Sequence, residues 1–441
     1  MDTREIKAPI GMSDMLPKDH DYFTYLKKVI RHRGRQAGFR RISTPMLERT
    51  DILKLALAED ADRIEKRMYS LRDPEGTDLT LRSGNTIGIA RAYVEKGLKD
   101  LPQPISLYYI EQQARFSHVG PGYYRHFHQF GLEVLGQSDA ALDAQVIYLA
   151  HSIHKDIGID DRLELNINTF GNNDIKETFI NDLKEFFKEK QRSVPTEYHR
   201  FIERDPIQLF LIEDEDLEIL CQMAPSIENY LDKESKEYFA DLCEYLEELS
   251  VPFKVNHRMF RKLPYYSGMM FEFWEKNRGR KKAVGGGGRY DNLIERLSGT
   301  PTPAVNYIAG VERTIAQMKI NKVIAPSKDD LHVFVAQLGK QAKKKCLLQL
   351  ALMHDAGIKA VGAIGKSSMK EQIAMAESFK VPYMVLMGLT EVREGKAIIR
   401  EMSKGTQSTV PLDKLVAELK KMIGKDKLDV YDPTSGLIKT Q

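Results

Sequence analysis

The stretch Tyr108–Gly136, YYIEQQARFSHVGPGYYRHFHQFGLEVLG, predicts two extended runs joined by a loop that contains glycine and arginine. Side chains alternate between the two faces of a strand, so an apolar set and a polar set of the second run point to opposite sides. The apolar set is Phe130, Leu132 and Val134, and the polar set is Gln129, Gly131 and Glu133. The polar set predicts a ligand floor with open space above the glycine. An edge hairpin with a solvated polar face is the alternative.

The length of 441 residues is more than one ordinary core needs and predicts two or three domains. Hydrophobic residues make up 42% and charged residues 29%, which is typical of a soluble globular protein. No apolar run reaches membrane-spanning length, and the N-terminus lacks the layout of a secretory signal, so we expect a cytoplasmic location. Cys221, Cys243 and Cys346 fit neither a disulfide framework nor a cysteine-based zinc site and are expected to pack in cores.

The formal net charge of +3 is close to neutral for a chain of this length and does not by itself indicate nucleic-acid binding. Two basic runs, Arg31–Arg41 and Lys343–Lys345, are expected to be solvated helix faces, with RNA contact as the alternative.

Apolar residues recur at helical spacing from Tyr22 to Ala37 and predict the first helix. The run FRRISTPML at 39–47 is expected to be extended as far as Pro45, which belongs at an edge or an interface because it cannot donate to a strand partner. The next predicted elements are a helix at Ile52–Leu57, strands at Met68–Leu71 and Asp78–Leu81 around the turn DPEGT, and a helix at Thr86–Val94.

Glu, Lys and Asp become dense between about 172 and 250, and apolar residues there fall at helical spacing, which predicts a helical insertion. Extended runs return at Pro252–Val255 and Met269–Trp274. The four glycines that follow, Gly285–Gly288, permit close approach of the backbone to a ligand, although a flexible turn is the alternative. The run Ile308–Glu312 with Arg313 closes this first domain.

From Leu331 the pattern alternates between strand and helix and predicts a compact α/β unit. Its strands are LHVFVAQL at 331–338, Lys359–Ile364 and YMVLM at 383–387, and its helices are Gln341–His354 and one opened by the capping pattern Ser368-x-x-Glu371. We expect a linker at Asn321–Asp330 and a loosely held tail at 426–441.

Several blocks of the chain, in this order and spacing, resemble the class II aminoacyl-tRNA synthetases and specifically the histidyl-tRNA synthetases. The blocks are GMSDMLP at 11–17, FRRISTPMLE at 39–48, the opening hairpin as motif 2, RKLPYYSG at 261–268, GGGGRYDNL at 285–293, AGVER at 309–313, SMKEQ at 368–372 and GTQ at 405–407.

The resemblance implies an α+β protein with an antiparallel-sheet class II catalytic domain and a C-terminal α/β domain like the family's anticodon-binding domain. The catalytic domain would cover 1–325 with the helical insertion at about 172–250, the anticodon-binding-like domain 330–425, and the tail 426–441. It also implies a homodimer with Pro45 at the interface.

The implied reaction joins histidine to ATP, releases pyrophosphate and passes the histidyl group from the adenylate to tRNA(His), with Mg²⁺ as a cofactor. Such chemistry depends on neutralising charge on phosphate oxygens, for which arginine is suited because it stays charged and offers paired donors. The implied catalytic residues are Arg115 and Arg261. The implied ATP-binding residues are Arg115, Tyr123, Arg125 and Arg313. The implied histidine-binding residues are Gly84, Thr86, Gln129, Glu133, Tyr265 and Tyr266, and the implied glycine-rich loop is Gly286, Gly287, Gly288 and Arg289.

The chain departs from the family pattern around the substrate. Where the family has Leu-Arg-Pro-Glu-x-Thr, this chain has LRSGNT at 81–86, so Gly84 replaces the glutamate that binds the substrate's ammonium. Loss of that charge-assisted bond weakens binding by about 1.5–3 kcal/mol. Phe116 and Ser117 follow Arg115 in place of the usual x-Glu, Tyr123 replaces an arginine, and Pro264 replaces an aspartate and stiffens its turn.

Two functions remain open from these departures. In the first, the protein is a divergent histidine–tRNA ligase in which Asn85, Glu111 or Glu272 compensates for the missing carboxylate. In the second, it is a paralogue with altered chemistry, such as a regulatory subunit of ATP phosphoribosyltransferase, a sensor or an RNA-binding module. The complete C-terminal domain favours the role linked to tRNA.

Overall fold

The computed structural model describes residues 6–57, 67–117, 120, 122–261, 263, 265–276, 283–326, 330–362, 365, 368–432 and 437–440. The chain divides into two compact units, Met1–Pro326 and Ser327–Gln441. No helix within the described ranges is both long and apolar enough to cross a membrane.

The first unit is built on two sheets. Its strands are β1 Arg40–Arg41, β2 Leu47–Arg49, β3 Ser70–Arg72, β4 Asp78–Leu81, β5 Ile105–Ala114, β6 His126–Leu135, β7 Leu163–Thr169, β8 Phe253–Val255, β9 Met269–Glu275, β10 Ala283–Arg289 and β11 Ala304–Gly310. The large sheet has the order β1-β5-β6-β11-β10-β9-β7-β8, and its inner pairs are antiparallel while the outer pairs β1–β5 and β7–β8 are parallel. The expected antiparallel catalytic sheet is therefore confirmed.

The helices of the first unit flank this sheet. They are α1 Pro17–Gln36, α2 Thr50–Leu57, α3 Thr86–Glu95, α4 Ala140–Asp156, α5 Asn173–Glu189, α6 His199–Arg204, α7 Glu215–Met223, α8 Lys233–Glu248, α9 Asp291–Ser298 and α10 Val311–Ile320. Buried apolar residues of α1, α4, α8 and α10 pack against one face of the sheet. A second cluster on α2, α3 and α9 includes Tyr109, Tyr265 and Tyr290 and lies beside the other face.

The opening hairpin is formed by β5 and β6, which pair in register from Ile105 opposite Leu135 to Ala114 opposite His126. Phe130, Leu132 and Val134 are buried in the main core, as the alternation predicted. Three residues of the loop between the strands, at 118, 119 and 121, lie outside the described part of the chain.

The smaller sheet has the order β2-β4-β3 and contains the hairpin predicted around DPEGT. Pro45 lies immediately before it and is exposed.

The stretch from 172 to 250 folds into α5–α8 with short 3-10 turns between them. Helix α5 begins where the side chain of Asn172 accepts a hydrogen bond from the backbone N–H of Ile175. Phe179, Leu183 and Phe187, spaced four residues apart, lie on one face and fill a separate core.

The second unit has a five-stranded sheet in the order β13-β12-β14-β15-β16. Its strands are β12 Val333–Gln337, β13 Ala360–Gly362, β14 Tyr383–Met387, β15 Lys396–Glu401 and β16 Gln407–Pro411, and its helices are α11 Lys340–Asp355, α12 Met369–Ser378, α13 Leu389–Glu394 and α14 Leu415–Ile423. The predicted alternation from β12 to β14 is confirmed, and β14–β15 and β15–β16 are antiparallel additions.

The structure bears on four local predictions for this part of the chain. Ser368 precedes α12, but its side chain makes no cap hydrogen bond, so the capping box is wrong. The predicted end of the second strand, Ile364, and part of the predicted linker, at 327–329, lie outside the described residues. In the expected tail, β17 Asp429–Asp432 pairs antiparallel with β18 Leu437–Thr440.

Candidate active site

A cavity of about 930 Å³ opens on the polar face of the large sheet. Five described arginines contribute to its wall, namely Arg67, Arg115, Arg125, Arg261 and Arg313. The acidic side chains of the wall, among the residues that the structure describes, are Glu272 and Glu312. This excess of positive charge suits an anionic ligand such as a polyphosphate. Four of these arginines were predicted from motifs far apart in the chain, and the sheet brings them together.

The loop of the opening hairpin holds three of the arginines through aromatic rings and backbone carbonyls. Arg313 donates from Nε to the Gly122 carbonyl at 3.1 Å and from Nη1 to the Ala283 carbonyl at 3.0 Å, with its guanidinium 5.3 Å from the Tyr123 ring centre. These contacts fix the guanidinium at the cavity wall. Tyr123, which stands where the resemblance places an arginine, therefore contacts Arg313, an arginine of helix α10.

Arg115 and Arg125 lie over aromatic rings of the same hairpin, one in strand β6 and one in the loop. The Arg125 guanidinium lies 4.0 Å from the Phe116 ring centre, and its Nε donates to the Ser117 carbonyl at 3.1 Å. The Arg115 guanidinium lies 4.6 Å from the Phe127 ring centre. Phe116 and Ser117, which depart from the family pattern, thus hold Arg125 in place.

Arg261 is held deep in the cavity wall. Its Nη1 donates to Glu272 Oε1 at 3.1 Å, and its guanidinium lies 4.9 Å from the Tyr266 ring centre. The other oxygen of Glu272 accepts from Trp274 Nε1 at 2.8 Å. Two neighbours of Arg261 in its motif, Lys262 and Pro264, lie outside the described residues.

The expected glycine-rich loop is wrong, because the four glycines lie inside strand β10. Gly286 lines the cavity, and a Cβ at this position would collide with Arg261 Nη1 and the Phe271 carbonyl oxygen. Glycine is therefore required at Gly286 by the close approach of the Phe271 backbone carbonyl and of Arg261 rather than by a turn. Gly287 and Gly288 lie in the same strand, where a Cβ would meet the backbone of β11 or β9.

Arg289, which was predicted together with these glycines, lies in a buried cluster rather than on the cavity wall. Its guanidinium is almost fully buried, donates from Nε to Asp143 Oδ2 at 2.9 Å, and forms an ion pair in which Nη2 lies 2.9 Å from Asp143 Oδ1. Tyr238 shares this cluster through its hydroxyl, which donates to Asp143 Oδ2 at 2.8 Å. Arg289 therefore lies in a buried ion-pair cluster that ties β10 to α4, and its predicted role in the site stays a prediction.

Gly84 and Gln129 lie together on the cavity wall where the resemblance places the substrate's amino group. A Cβ at Gly84 would lie 3.8 Å from Gln129 Oε1, so this position has room for a side chain. Gln129 Oε1 accepts from the Tyr109 hydroxyl at 2.8 Å. Gly84 itself leaves the substrate ammonium without a carboxylate at this point of the wall.

The three proposed substitutes for that carboxylate differ in position. Asn85 is fully buried, and its Oδ1 accepts from Thr44 Oγ1 at 2.6 Å, so it faces the interior. Glu111 forms an ion pair with Arg82 at 3.4 Å and accepts a hydrogen bond from Ser43. These contacts hold its carboxylate away from the cavity wall. Glu272 is the one of the three that lines the cavity.

Glu133 lies fully buried below the floor of the cavity. Its Oε1 accepts from Thr86 Oγ1 at 2.7 Å and its Oε2 from the Tyr290 hydroxyl at 2.7 Å. Burial raises the pKa of Glu133 to about 8, although hydrogen bonds from Tyr290, Thr86 and Asn306 oppose this effect. Thr86 lies between Glu133 and the cavity, because it lines the wall.

The two predicted tyrosines divide between wall and floor. Tyr265 lines the cavity. Tyr266 is fully buried, and its hydroxyl donates to Asn306 Oδ1 at 3.0 Å. Asn306 in turn donates from Nδ2 to Thr86 Oγ1 at 3.1 Å, which completes a connected network with Glu133.

Sequence analysis missed Arg67, Tyr290, Asn306 and Glu312. Asn306 was visible as a polar residue inside the apolar run AVNYIAG, and Tyr290 stands within the quoted GGGGRYD block. No motif surrounds Arg67 in the sequence, and only the folded structure brings it to the cavity wall. Glu312 accepts from the backbone N–H of His128 at 2.8 Å and lies within 2.9 Å of its Nδ1, so it also joins α10 to the hairpin.

Comparison with known proteins covers both units. The family model described as histidyl-tRNA synthetase matches residues 11–313, and the model described as anticodon binding domain matches residues 332–422. The histidine–tRNA ligase of Dehalococcoides mccartyi (strain ATCC BAA-2266 / KCTC 15142 / 195) is 32% identical over 95% of this chain and 100% of its own length.

Solved structures show the same fold. The apo histidyl-tRNA synthetase of S. aureus superposes with a TM-score of 0.78 at 26% identity, covering 94% of this chain and 100% of that one. An ATP phosphoribosyltransferase regulatory subunit/histidyl-tRNA synthetase from Bacillus halodurans C gives 0.63 at 18% identity, covering 87% and 98%, and so shares the fold alone. The resemblance read from the motifs is confirmed, and the chain belongs to the histidyl-tRNA synthetase family.

Proposed function

We propose that this protein is a histidine–tRNA ligase, which activates histidine with ATP to histidyl-adenylate and transfers the histidyl group to tRNA(His). The convergence of Arg115, Arg261 and Arg313 from three separate motifs on one cavity carries the proposal. Similarity to histidine–tRNA ligases over 95% of the chain supports the same activity.

In the first half-reaction, an oxygen of the histidine carboxylate attacks the α-phosphorus of ATP and pyrophosphate leaves. The carboxylate is already a nucleophile, so the protein needs mainly to align the reactants and to neutralise phosphate charge. We assign Arg115 and Arg261 to the α-phosphate. Arg313, Arg125 and Tyr123 are assigned to the remainder of ATP, where the rings of the loop hold the guanidiniums in place.

The histidine would lie above the floor of the cavity. Gln129 faces its carboxylate and amino groups, and Gly84 and Thr86 form the adjoining wall. Because Gly84 supplies no charge, we assign the substrate ammonium to Glu272, one of the two carboxylates on the described part of the wall, and leave Glu312 for the nucleotide. Tyr265 closes the side of the pocket.

The residues present fit a magnesium ion bound together with ATP. Mg²⁺ commonly keeps several waters and takes one or two carboxylates in addition to phosphate oxygens. Glu312, on the wall beside Arg313, would hold it. When bound, the ion would draw charge from the phosphate oxygens.

The second unit is assigned to the tRNA. Its similarity to the anticodon binding domain supports contact with the anticodon end, while the first unit holds the adenylate and the terminal ribose. We further propose that the protein is a cytoplasmic homodimer. The exposed Pro45, with Met46 and Leu47 each 36% exposed, is assigned to its interface.

Histidine-dependent exchange between ATP and pyrophosphate tests the first half-reaction. Exchange is expected with histidine alone among the amino acids, and Arg261→Ala should reduce it by at least about a hundredfold because a transition-state donor is lost. Arg200→Ala, which removes an exposed arginine of the insertion, is the matched control. Exchange that is absent with all amino acids would exclude the ligase.

The regulatory alternative retains one observation in its favour, namely the glycine at position 84. A protein of that kind would bind histidine without exchanging pyrophosphate. Charging of tRNA(His) then separates the ligase from a module that binds RNA without catalysis, for which binding would persist with a steep dependence on salt.

A further inference from the structure

The buried network below the cavity contains one residue that no motif assigned. Asn306 is fully buried on β11, directly opposite Glu133 on β6 and Gly288 on β10. Ile308, two residues further along β11 and on the same face, lines the cavity. The Asn306 side chain therefore lies one step below the cavity wall.

The side-chain amide of Asn306 accepts one hydrogen bond and donates another. Its Oδ1 accepts from the Tyr266 hydroxyl at 3.0 Å, and its Nδ2 donates to Thr86 Oγ1 at 3.1 Å. Thr86 Oγ1 in turn donates a hydrogen bond to Glu133 Oε1 at 2.7 Å. The network thus offers a hydroxyl donor on one side and an oxygen acceptor on the other, and the amide satisfies both.

A neutral imidazole has the same pair of functions, because one ring nitrogen accepts and the other donates. A substrate imidazole bound at the floor of the cavity would accept a hydrogen bond from the Tyr266 hydroxyl and donate one to the oxygen of Thr86 or Glu133. In the structure, Asn306 already makes the hydrogen bonds to Tyr266 and Thr86. Burial of these groups makes the competition costly, since a displaced partner must find another hydrogen bond.

We propose that Asn306 acts as a built-in competitor of the substrate imidazole in the amino-acid pocket and so sets the affinity for histidine. This inference rests on the proposed function, because it takes histidine as the substrate. Asn306 limits the depth of the pocket and reduces the affinity for histidine. Removal of its amide leaves Tyr266 and Thr86 free to bind the ring.

Substitution of Asn306 tests the competition through the KM for histidine in pyrophosphate exchange. Asn306→Ala and Asn306→Gly are expected to lower this KM by at least about tenfold, since two competing hydrogen bonds are removed. Damage to the fold cannot produce a lower KM. Asn168→Ala is the matched control, because Asn168 is a fully buried asparagine of β7 whose Nδ2 donates to the Met259 carbonyl at 2.9 Å.

Thermal unfolding with added imidazole tests the same idea without catalysis. Imidazole is expected to raise the Tm of Asn306→Ala and Asn306→Gly by several degrees and to leave wild type and Asn168→Ala unchanged. If exchange is absent from every protein but imidazole still stabilises only the Asn306 variants, the ligase assignment fails and the role of Asn306 stands.

The opposite pattern would overturn the role of Asn306 while the ligase assignment stands. In that pattern wild type exchanges pyrophosphate with histidine, the folded Asn306 variants show an unchanged or higher KM, and imidazole shifts no variant. An equal shift in wild type or Asn168→Ala would also overturn it, because the ring would then bind elsewhere.

Discussion

Arg261 donates to Glu272 across 3.1 Å, and both side chains face the same cavity. Trp274 fixes the second oxygen of the glutamate at 2.8 Å, so the carboxylate is oriented before any substrate arrives. An oriented carboxylate at this place can serve the substrate ammonium that Gly84 leaves without a partner. Nη1 of Arg261 also donates to the Phe271 carbonyl at 3.4 Å, so these two bonds leave three of the five guanidinium N–H groups, on Nε and Nη2, for a phosphate.

Glu272→Gln is therefore expected to raise the KM for histidine by about tenfold or more and to change the KM for ATP much less. The physical reason is the loss of a charge-assisted bond, which contributes about 1.5–3 kcal/mol. Pyrophosphate exchange with varied histidine and varied ATP measures both constants. Glu312→Gln is the matched control and should instead increase the Mg²⁺ concentration needed. A larger effect of Glu272→Gln on ATP would assign Glu272 to the nucleotide.

Gly84→Glu is expected to lower the KM for histidine. A Cβ at Gly84 would make only an ordinary contact, 3.8 Å from Gln129 Oε1, and Gly84 lines the cavity, so we expect the added carboxylate to reach the cavity. Gly84→Gln keeps the size without the charge and should leave the constant close to that of wild type. An equal improvement by both variants would indicate packing rather than charge, and a loss with both would show that the wall must stay open.

Replacement of Arg289 by Met is expected to lower the free energy of unfolding by about 3–5 kcal/mol, because it leaves the Asp143 carboxylate buried without its partner. Chemical denaturation measures the loss. The double variant Arg289→Met with Asp143→Leu should recover much of the stability, since no uncompensated charge remains. If Arg289→Met instead unfolds like wild type but loses ATP binding, Arg289 belongs to the site after all.

The fold was largely predictable because its elements have clear local patterns. Alternation identified β6, helical spacing identified α1, and the order of motif blocks identified the catalytic sheet. The position of the four glycines was not predictable, since a glycine run is commoner in turns and only the close approach of neighbouring strands and of Arg261 explains it within a strand. The ion pair between Arg289 and Asp143 joins residues that are 146 positions apart in the chain, and no local sequence pattern predicts such a contact.

The candidate site was predictable where residues belong to motifs and not where the fold alone joins them. Arg115, Arg261 and Arg313 stand in recognisable blocks and meet in the cavity. Arg67 and Asn306 gain their positions from tertiary packing. Glu133 and Tyr266 were expected to face a ligand, but they are buried and bonded to Thr86 and Asn306, and no local pattern shows which side chain fills a buried space.

Glu133→Gln is expected to make the stability of the protein less dependent on pH. Burial raises the pKa of Glu133 from 4.5 to about 8, so between these values the folded carboxyl keeps a proton that the unfolded one has released. Stability contributed by this group is therefore complete at low pH and is lost as pH rises through that window, by several kcal/mol at about 1.4 kcal/mol per pKa unit. Glutamine carries no proton that titrates.

The measurement is the free energy of unfolding of wild type and Glu133→Gln at intervals from about pH 5 to pH 8. Relative to wild type, the variant should gain stability steadily with pH. Burial lowers the pKa of His154 to about 3, which acts in the opposite direction, but His154 is present in both proteins and cancels in the difference. Parallel curves would mean that Glu133 is ionised throughout, and the Thr86 and Tyr290 hydrogen bonds would then have to stabilise a buried charge.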